Sequence, residues 1–304
     1  MVESRQARRQ AKLRQRLRLA IATAAVCVLL AGGIGAALII SGSNTAASHR
    51  RVSTNDSTTT VAPSPTATAS SPTQPTPAPS GLTAVSGKSI VIDPGHNGKN
   101  AQHANEINQP VDIGTQTRAC DTAGASTNDG YTEAEYNLDV SLRLADLLRQ
   151  AGASVVLTRT DNNGWGPCIN QRAAIGNDAR ADVGVSIHAD GGPPDGRGFH
   201  VIYPPSIAGL TQGIAADSKR LALDVRGAYQ TGSGLPFATY IGNGDGLSER
   251  TDLGGLNLSK VPKVFIETGN MRSNTDAELL KSDGFRQQAA TAIADGLAAY
   301  LAGQ

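Results

Sequence analysis

The sequence predicts an α/β fold: a single domain with a mostly parallel, mixed, twisted sheet flanked by helices, preceded by a transmembrane helix and a disordered stalk. Three observations predict it. From residue 87 onward, short runs rich in Val and Ile alternate with longer stretches of helical spacing, the pattern of βαβ units. Several of those runs are almost wholly apolar, as strands covered on both faces are. Composition also changes abruptly along the chain, which separates an N-terminal arm from a globular part of roughly 220 residues, a normal size for one core.

Residues 1–18 carry seven Lys or Arg against one Glu, and residues 19–40 carry no charged side chain. An apolar run of about 22 residues suffices to span a bilayer as a helix. The basic flank places residues 1–18 in the cytoplasm and the rest of the chain outside it. A cleaved signal peptide is the competing reading. Its apolar core is usually about 7–15 residues, shorter than this one, although Ala46 and Ala47 keep cleavage open. Cys27 lies within the run and reads as a small apolar residue. Residues 41–86 are dominated by Ser, Thr, Ala and Pro, with Pro63, Pro65, Pro72, Pro75, Pro77 and Pro79. Such a segment cannot bury enough apolar surface to fold. As a flexible linker it would average about 40 Å end to end and reach roughly 140 Å when stretched. It suits access to a polymer beyond the membrane, and equally any stalk on any ectodomain.

Residues 87–304 form the expected domain. SIVIDPGH (89–96) reads as a buried strand ending in a turn, and a polar loop follows to about Tyr131. Thr132–Gln150 has helical spacing through Leu138, Leu142, Ala145 and Leu148, with Gly152 as C-cap. Further strands are expected at 153–160, 181–190, 198–204, 236–242 and 261–270. Further helices are expected at 169–181, 209–229, 275–282 and 284–302. The net charge of +1 comes from the basic arm, and without it the domain is mildly acidic, which argues against a nucleic-acid partner. The two domain cysteines, Cys120 and Cys168, are an even count in an exported domain, which favours a disulfide over a thiolate metal site.

Three strands end in chemistry. SIVID runs into His96, VGVSI into His188 and VFI into Glu267. Ligands of open parallel α/β sheets bind at the carboxyl ends of the strands, so these residues meet at one edge. Thr132-Glu133-Ala134-Glu135 fits a capping box, which engages Glu135 and leaves Glu133 free to point off the helix end. The bland alternative is that both carboxylates only complement the helix dipole. Two histidines and a carboxylate leave a fourth zinc position open for water, the arrangement of catalytic zinc. Glu267 is then available as general base, and Asp93 as a partner of His96 or a turn former. His49 reads as a solvated flank, His103 as a polar-loop residue with a place near the site left open, and His200 as a packed or solvent-facing strand residue. Tyr240 and Arg272 are possible substrate contacts. Arg172 and Asn177 are candidates to hold a helix against the strand before His188.

IVIDPGH, EAEYNLDVSLRLADLL, ADVGVSIHAD and VPKVFIETGNMRSN, in that order, resemble the motifs of the zinc-dependent N-acetylmuramoyl-L-alanine amidases of the amidase-3 family. The resemblance covers about 88–302 and looks like the actinobacterial branch. It implies zinc on His96, Glu133 and His188, with Glu133 four residues before Asn137-Leu138, and Glu267 as the catalytic residue. It also implies peptidoglycan as the partner, cleaved between N-acetylmuramic acid and L-alanine. Two departures stand out: Asp190 in IHAD where Asn is commoner, and Asn270 in ETGN where an apolar residue is usual. The alternatives are a non-catalytic wall-binding ectodomain and a zinc amidohydrolase acting on another exported peptide amide. The chain is expected to act as a monomer, held to the cytoplasmic membrane by its N-terminal helix. An element restraining the site is to be sought in 205–262, where Asp245 and Glu249 are candidates to approach the metal.

Overall fold

The structure is a computed structural model that describes residues 81–304. The basic segment, the apolar span with Cys27, nearly all of the linker and His49 lie outside the described residues. Among the described residues no helix is long and apolar enough to cross a membrane. The core begins slightly before the expected boundary. Leu82 and Val85, read from sequence as linker, are buried in it, because a short 3₁₀ turn at Thr83–Val85 folds them under the sheet.

In chain order the elements are β1 (Ser89–Pro94), α1 (Ala104–Ile107), β2 (Pro110–Asp112), β3 (Thr117–Ala119), α2 (Glu133–Gln150), β4 (Ser154–Leu157), α3 (Ile169–Asp178), β5 (Val183–Asp190) and β6 (His200–Tyr203). There follow α4 (Ala215–Ser233), β7 (Leu247–Glu249), α5 (Gly254–Asn257), β8 (Lys263–Asn270), α6 (Asn274–Lys281) and α7 (Asp283–Ala302). Six strands form one sheet in the order β4-β1-β5-β8-β6-β7. The pairings β1–β4, β1–β5, β5–β8 and β6–β7 are parallel, and β6–β8 is antiparallel. The expected mixed, mainly parallel sheet is therefore present. Its three central strands β1, β5 and β8 run side by side in one direction, which brings their carboxyl ends to one edge.

Local chemistry explains the elements that matter most. Thr132 caps α2 with a full capping box: its hydroxyl accepts from the Glu135 backbone N–H, and the Glu135 carboxylate accepts from the Thr132 N–H at 3.1 Å. This satisfies helix-end donors that otherwise have no partner. Gly152, at φ 89, lets the chain turn back into β4. Beside α2, α4 and α7 pack together and carry Leu221, Val225, Ile293 and Leu297 into the same core.

Three expectations are corrected. No strand forms at 236–242; Phe237 makes only an isolated bridge to Phe199, because Gly242, Gly244 and Gly246 with positive φ break the segment into turns. The stretch after His96 is not all loop but contains the β2–β3 hairpin, whose residues are mostly exposed and leave no apolar pattern to read. The buried stripe of α2 runs through Tyr136, Val140, Leu144 and Leu148, while Leu142 stays exposed.

Candidate metal centre and catalytic glutamate

His96 follows the carboxyl end of β1, His188 sits near the end of β5, and Glu267 sits near the end of β8, in register with His188. Glu133 is the first residue of α2 and points off the helix end while Glu135 is held in the cap. The structure brings His96, Glu133 and His188 together, with one ligand atom from each lying within 4.8 Å of the others. Glu133 Oε1 lies 2.8 Å from His188 Nδ1 and 3.2 Å from His96 Nε2. Its other oxygen accepts from the Ala125 N–H at 2.7 Å, which fixes the carboxylate plane. Four-coordinate zinc with bonds of about 2.0–2.1 Å sets its ligand atoms roughly 3.3–3.4 Å apart, and the separations of 2.8 and 3.2 Å at Glu133 Oε1 are of that order.

The surroundings hold these groups closely. His188 stacks on Phe265 with ring centroids 3.9 Å apart. A side chain at Gly95 has no room: its Cβ would lie 2.0 Å from His188 Cε1. His96 has φ 56, a left-handed conformation uncommon for a side-chain-bearing residue. Its Nδ1 is occupied by Asp121 Oδ1 at 3.2 Å and the Thr122 carbonyl at 3.0 Å, which directs Nε2 toward Glu133.

The charges of the cluster are tightly linked. Burial disfavours charge on His96, but Glu133 and Asp121 outweigh it and raise the imidazole pKa to about 10. Burial likewise opposes ionisation of Glu133, and the adjacent His96 and His188 overcome it and hold the carboxyl well below its ordinary range. Glu267 moves the other way. Burial, then the negative charges of Glu133 and Asp190, push it well above the usual carboxylate range. Its Oε2 is buried with no hydrogen-bond partner. Glu267, Asp190, His96, Glu133 and His188 all line one cavity of about 360 Å³.

Several sequence-derived candidates lie elsewhere. Asp93 is neither a partner of His96 nor a turn former; it is the buried counter-ion of Arg172 at 2.9 Å and Lys263 at 3.0 Å. Arg172 does not brace α3 against β5. It donates to the Pro94 and His96 carbonyls at 2.7 and 2.9 Å, and so holds the end of β1. Asn177 instead ties α3 to the Leu258 carbonyl and the Lys260 N–H. His103 stacks on Trp165 and pairs with Glu106. His200 is buried in β6 opposite Glu267, and burial and Arg250 lower its pKa to about 4. Tyr240 packs against Gly192 and Gly196 and stays near the site, beside Asp190, whereas Arg272 is exposed. Asn270 donates to the Pro193 and Gly196 carbonyls, which explains a polar residue at that place. Asp245 accepts from the Leu247 N–H in its own turn, and among the described residues neither it nor Glu249 joins the His/Glu cluster. Cys120 and Cys168 form a disulfide. The functional neighbour that sequence reasoning missed is Asp121; its only signal was its place beside Cys120.

A buried carboxylate between two histidines at the carboxyl edge of an α/β sheet, with a second glutamate beside it, is the donor pattern of a single-metal hydrolase. The chain belongs to the amidase-3 family, N-acetylmuramoyl-L-alanine amidase, which matches residues 90–299. It is 40% identical over 222 residues to the N-acetylmuramoyl-L-alanine amidase Rv3717 of Mycobacterium tuberculosis, covering 72% of this chain and 89% of that protein. The crystal structure of the N-acetylmuramyl-L-alanine amidase Ami1 from Mycobacterium smegmatis superposes with a TM-score of 0.68 at 41% identity, over 72% of this chain and 99% of that one. Apo Ami1 from Mycobacterium abscessus gives 0.67 at 42% identity, over 71% and 100%.

Proposed function

We propose that this protein hydrolyses the amide between N-acetylmuramic acid and L-alanine in peptidoglycan, with His96, Glu133 and His188 holding a zinc ion and Glu267 as the general base. The observation that carries this reading is the meeting of the three ligand atoms within 4.8 Å in a cavity shared with the unpartnered carboxylate of Glu267. Bound zinc supplies a Lewis acid for the scissile carbonyl and brings water within reach of deprotonation near neutral pH. The chain's own residues do the rest. Glu267 takes the proton of the attacking water and returns it to the leaving amine, so one carboxyl serves in both directions. Its Oε2, buried and with no hydrogen-bond partner, is free to receive that proton. Asp121 and Thr122 occupy Nδ1 of His96 and present Nε2 to the ion.

The test uses purified peptidoglycan. The unaltered protein should release stem peptides with a free N-terminal alanine, and chelation should stop release until zinc is restored. Glu267→Gln should bind zinc normally and lose about 10²–10⁴-fold in rate. Peptide release that survives both chelation and Glu267→Gln overturns the proposal. Binding to the wall without product would favour the non-catalytic reading.

The protein acts outside the cytoplasm, on the cell wall. We assign residues 19–40 as the single membrane span, residues 41–86 as the linker, whose last residues fold onto the domain, and residues 87–304 as the catalytic domain. Membrane fractionation with protease treatment of intact cells tests this arrangement: the full-length chain should sediment with membranes, and its C-terminal domain should be digestible from outside.

A further inference from the structure

We propose that the Cys120–Cys168 disulfide and the Asp121–Arg172 ion pair form one clamp that fixes the ligand orientation of His96, so that the strength of zinc binding depends on this cross-link. The inference rests on the assignment of His96 as a zinc ligand.

His96 does not hold its own orientation. Its backbone, at φ 56, is in the left-handed region that a residue bearing a side chain rarely adopts unaided. Contacts must impose it, and they come from Arg172 and from the Asp121-Thr122 pair, whose Thr122 carbonyl also lies 3.0 Å from His96 Nδ1. Arg172 Nη2 donates to the His96 carbonyl at 2.9 Å and to Asp121 Oδ2 at 3.0 Å. Asp121 Oδ1 lies 3.2 Å from His96 Nδ1. One guanidinium therefore holds both the backbone of His96 and the carboxylate that orients its ring. Arg172 is itself fixed, by donation to the Pro94 and Pro167 carbonyls and to Asp93.

The two halves of this clamp come from unrelated parts of the chain. Asp121 stands at the start of a stretch, 121–131, with almost no regular structure, while Arg172 is on α3. They meet where the disulfide is. Cys120 directly precedes Asp121, and Cys168 is the N-cap of α3, one turn before Arg172. The Ile169 N–H adds a bond to the Cys120 carbonyl at 2.8 Å, on the same spot. A cross-link here does more than shorten a loop in the unfolded chain. It keeps a buried carboxylate from an irregular stretch beside the helix that carries its counter-ion, and thereby beside His96.

Partners of a ligating histidine typically change metal affinity by about 10–100-fold when removed. The experiment is a competition titration of zinc against a chromophoric chelator, on the full-length chain. Asp121→Ala should weaken zinc binding by about 10–100-fold. The double variant Cys120→Ser/Cys168→Ser should weaken it by about tenfold or more; serine keeps an oxygen at the α3 N-cap, so the helix start is preserved. In the zinc-loaded unaltered chain the Nδ1–H proton of His96 should exchange slowly with solvent, and it should exchange faster in both variants. Leu148→Ala is the control for lost stability: it should lower the melting temperature while leaving zinc affinity unchanged. Unchanged affinity in both clamp variants overturns this inference alone, as does an equal loss in Leu148→Ala. Failure of the unaltered chain to bind zinc instead overturns the assignment of the ligands.

Discussion

A Cβ at Gly95 would lie 2.0 and 2.1 Å from Cε1 and Nε2 of His188, far inside van der Waals contact. The fold can accept an added methyl there only by moving the His188 imidazole. Gly95→Ala should therefore weaken zinc affinity by about 100-fold with little change in secondary structure, measured by chelator competition beside circular dichroism. Glu133 and Glu135 provide a second test at this scale. They are two residues apart, yet one faces the cluster and the other closes the helix cap. Glu133→Gln should cost more than the ~100-fold in zinc affinity that outer partners cost. Glu135→Ala should leave zinc binding intact and lower stability by about 0.3–1.5 kcal/mol, read by urea unfolding. The sequence carried this distinction, because a capping box assigns the residue three positions after Thr132 to the cap by chemistry alone. The role of Asp121 was not legible in the same way. Nothing in Cys120-Asp121-Thr122 shows that the carboxylate faces a histidine twenty-five positions earlier.

Strand ends were the most legible elements. Apolar runs breaking at His96, His188 and Glu267 state where the polar groups leave the core, and parallel pairing of β1, β5 and β8 does the rest. Helix faces were less so. On α2 the sequence offered Leu138, Leu142, Ala145 and Leu148, but Leu142 is 38% exposed while Val140 and Leu144 are fully buried. Two apolar sets at helical spacing overlap on that helix, and the sheet beneath decides between them. Leu144→Ala should cost about 2–5 kcal/mol in unfolding free energy, whereas Leu142→Ala should stay within about 0.5 kcal/mol. The short β2–β3 hairpin and β7 escaped notice because three-residue strands with exposed side chains carry no period to detect.

Across the molecule, the central polar layer governs acid stability. Asp93 is fully buried between Lys263 and Arg172. Burial alone would raise its pKa; the two cations, with hydrogen bonds from Thr158 and Arg172, hold it well below the ordinary carboxylate value. A carboxyl depressed in the folded state stabilises fully above its unfolded pKa of about 3.9, and that contribution fades as pH falls toward the folded value. Unfolding free energy should therefore be flat with respect to this group above about pH 5 and fall progressively below about pH 4. Asp93→Asn should remove this acid-sensitive contribution and cost about 3–5 kcal/mol at pH 7, because it leaves two buried cations short of a partner. Equilibrium urea unfolding across this pH range checks both statements.

The sequence by itself determined the α/β class, the alternation of strands and helices, and the residues delivered to the carboxyl edge, because hydrophobic period and capping chemistry are local properties. Only the tertiary structure decided that Asp93 pairs with Lys263 and Arg172, that Asp121 orients His96, and which stripe of α2 is buried. Those choices depend on which segments meet across long sequence separations. Burial and Coulomb interactions act on distance in space, and the order of residues along the chain does not encode that distance locally.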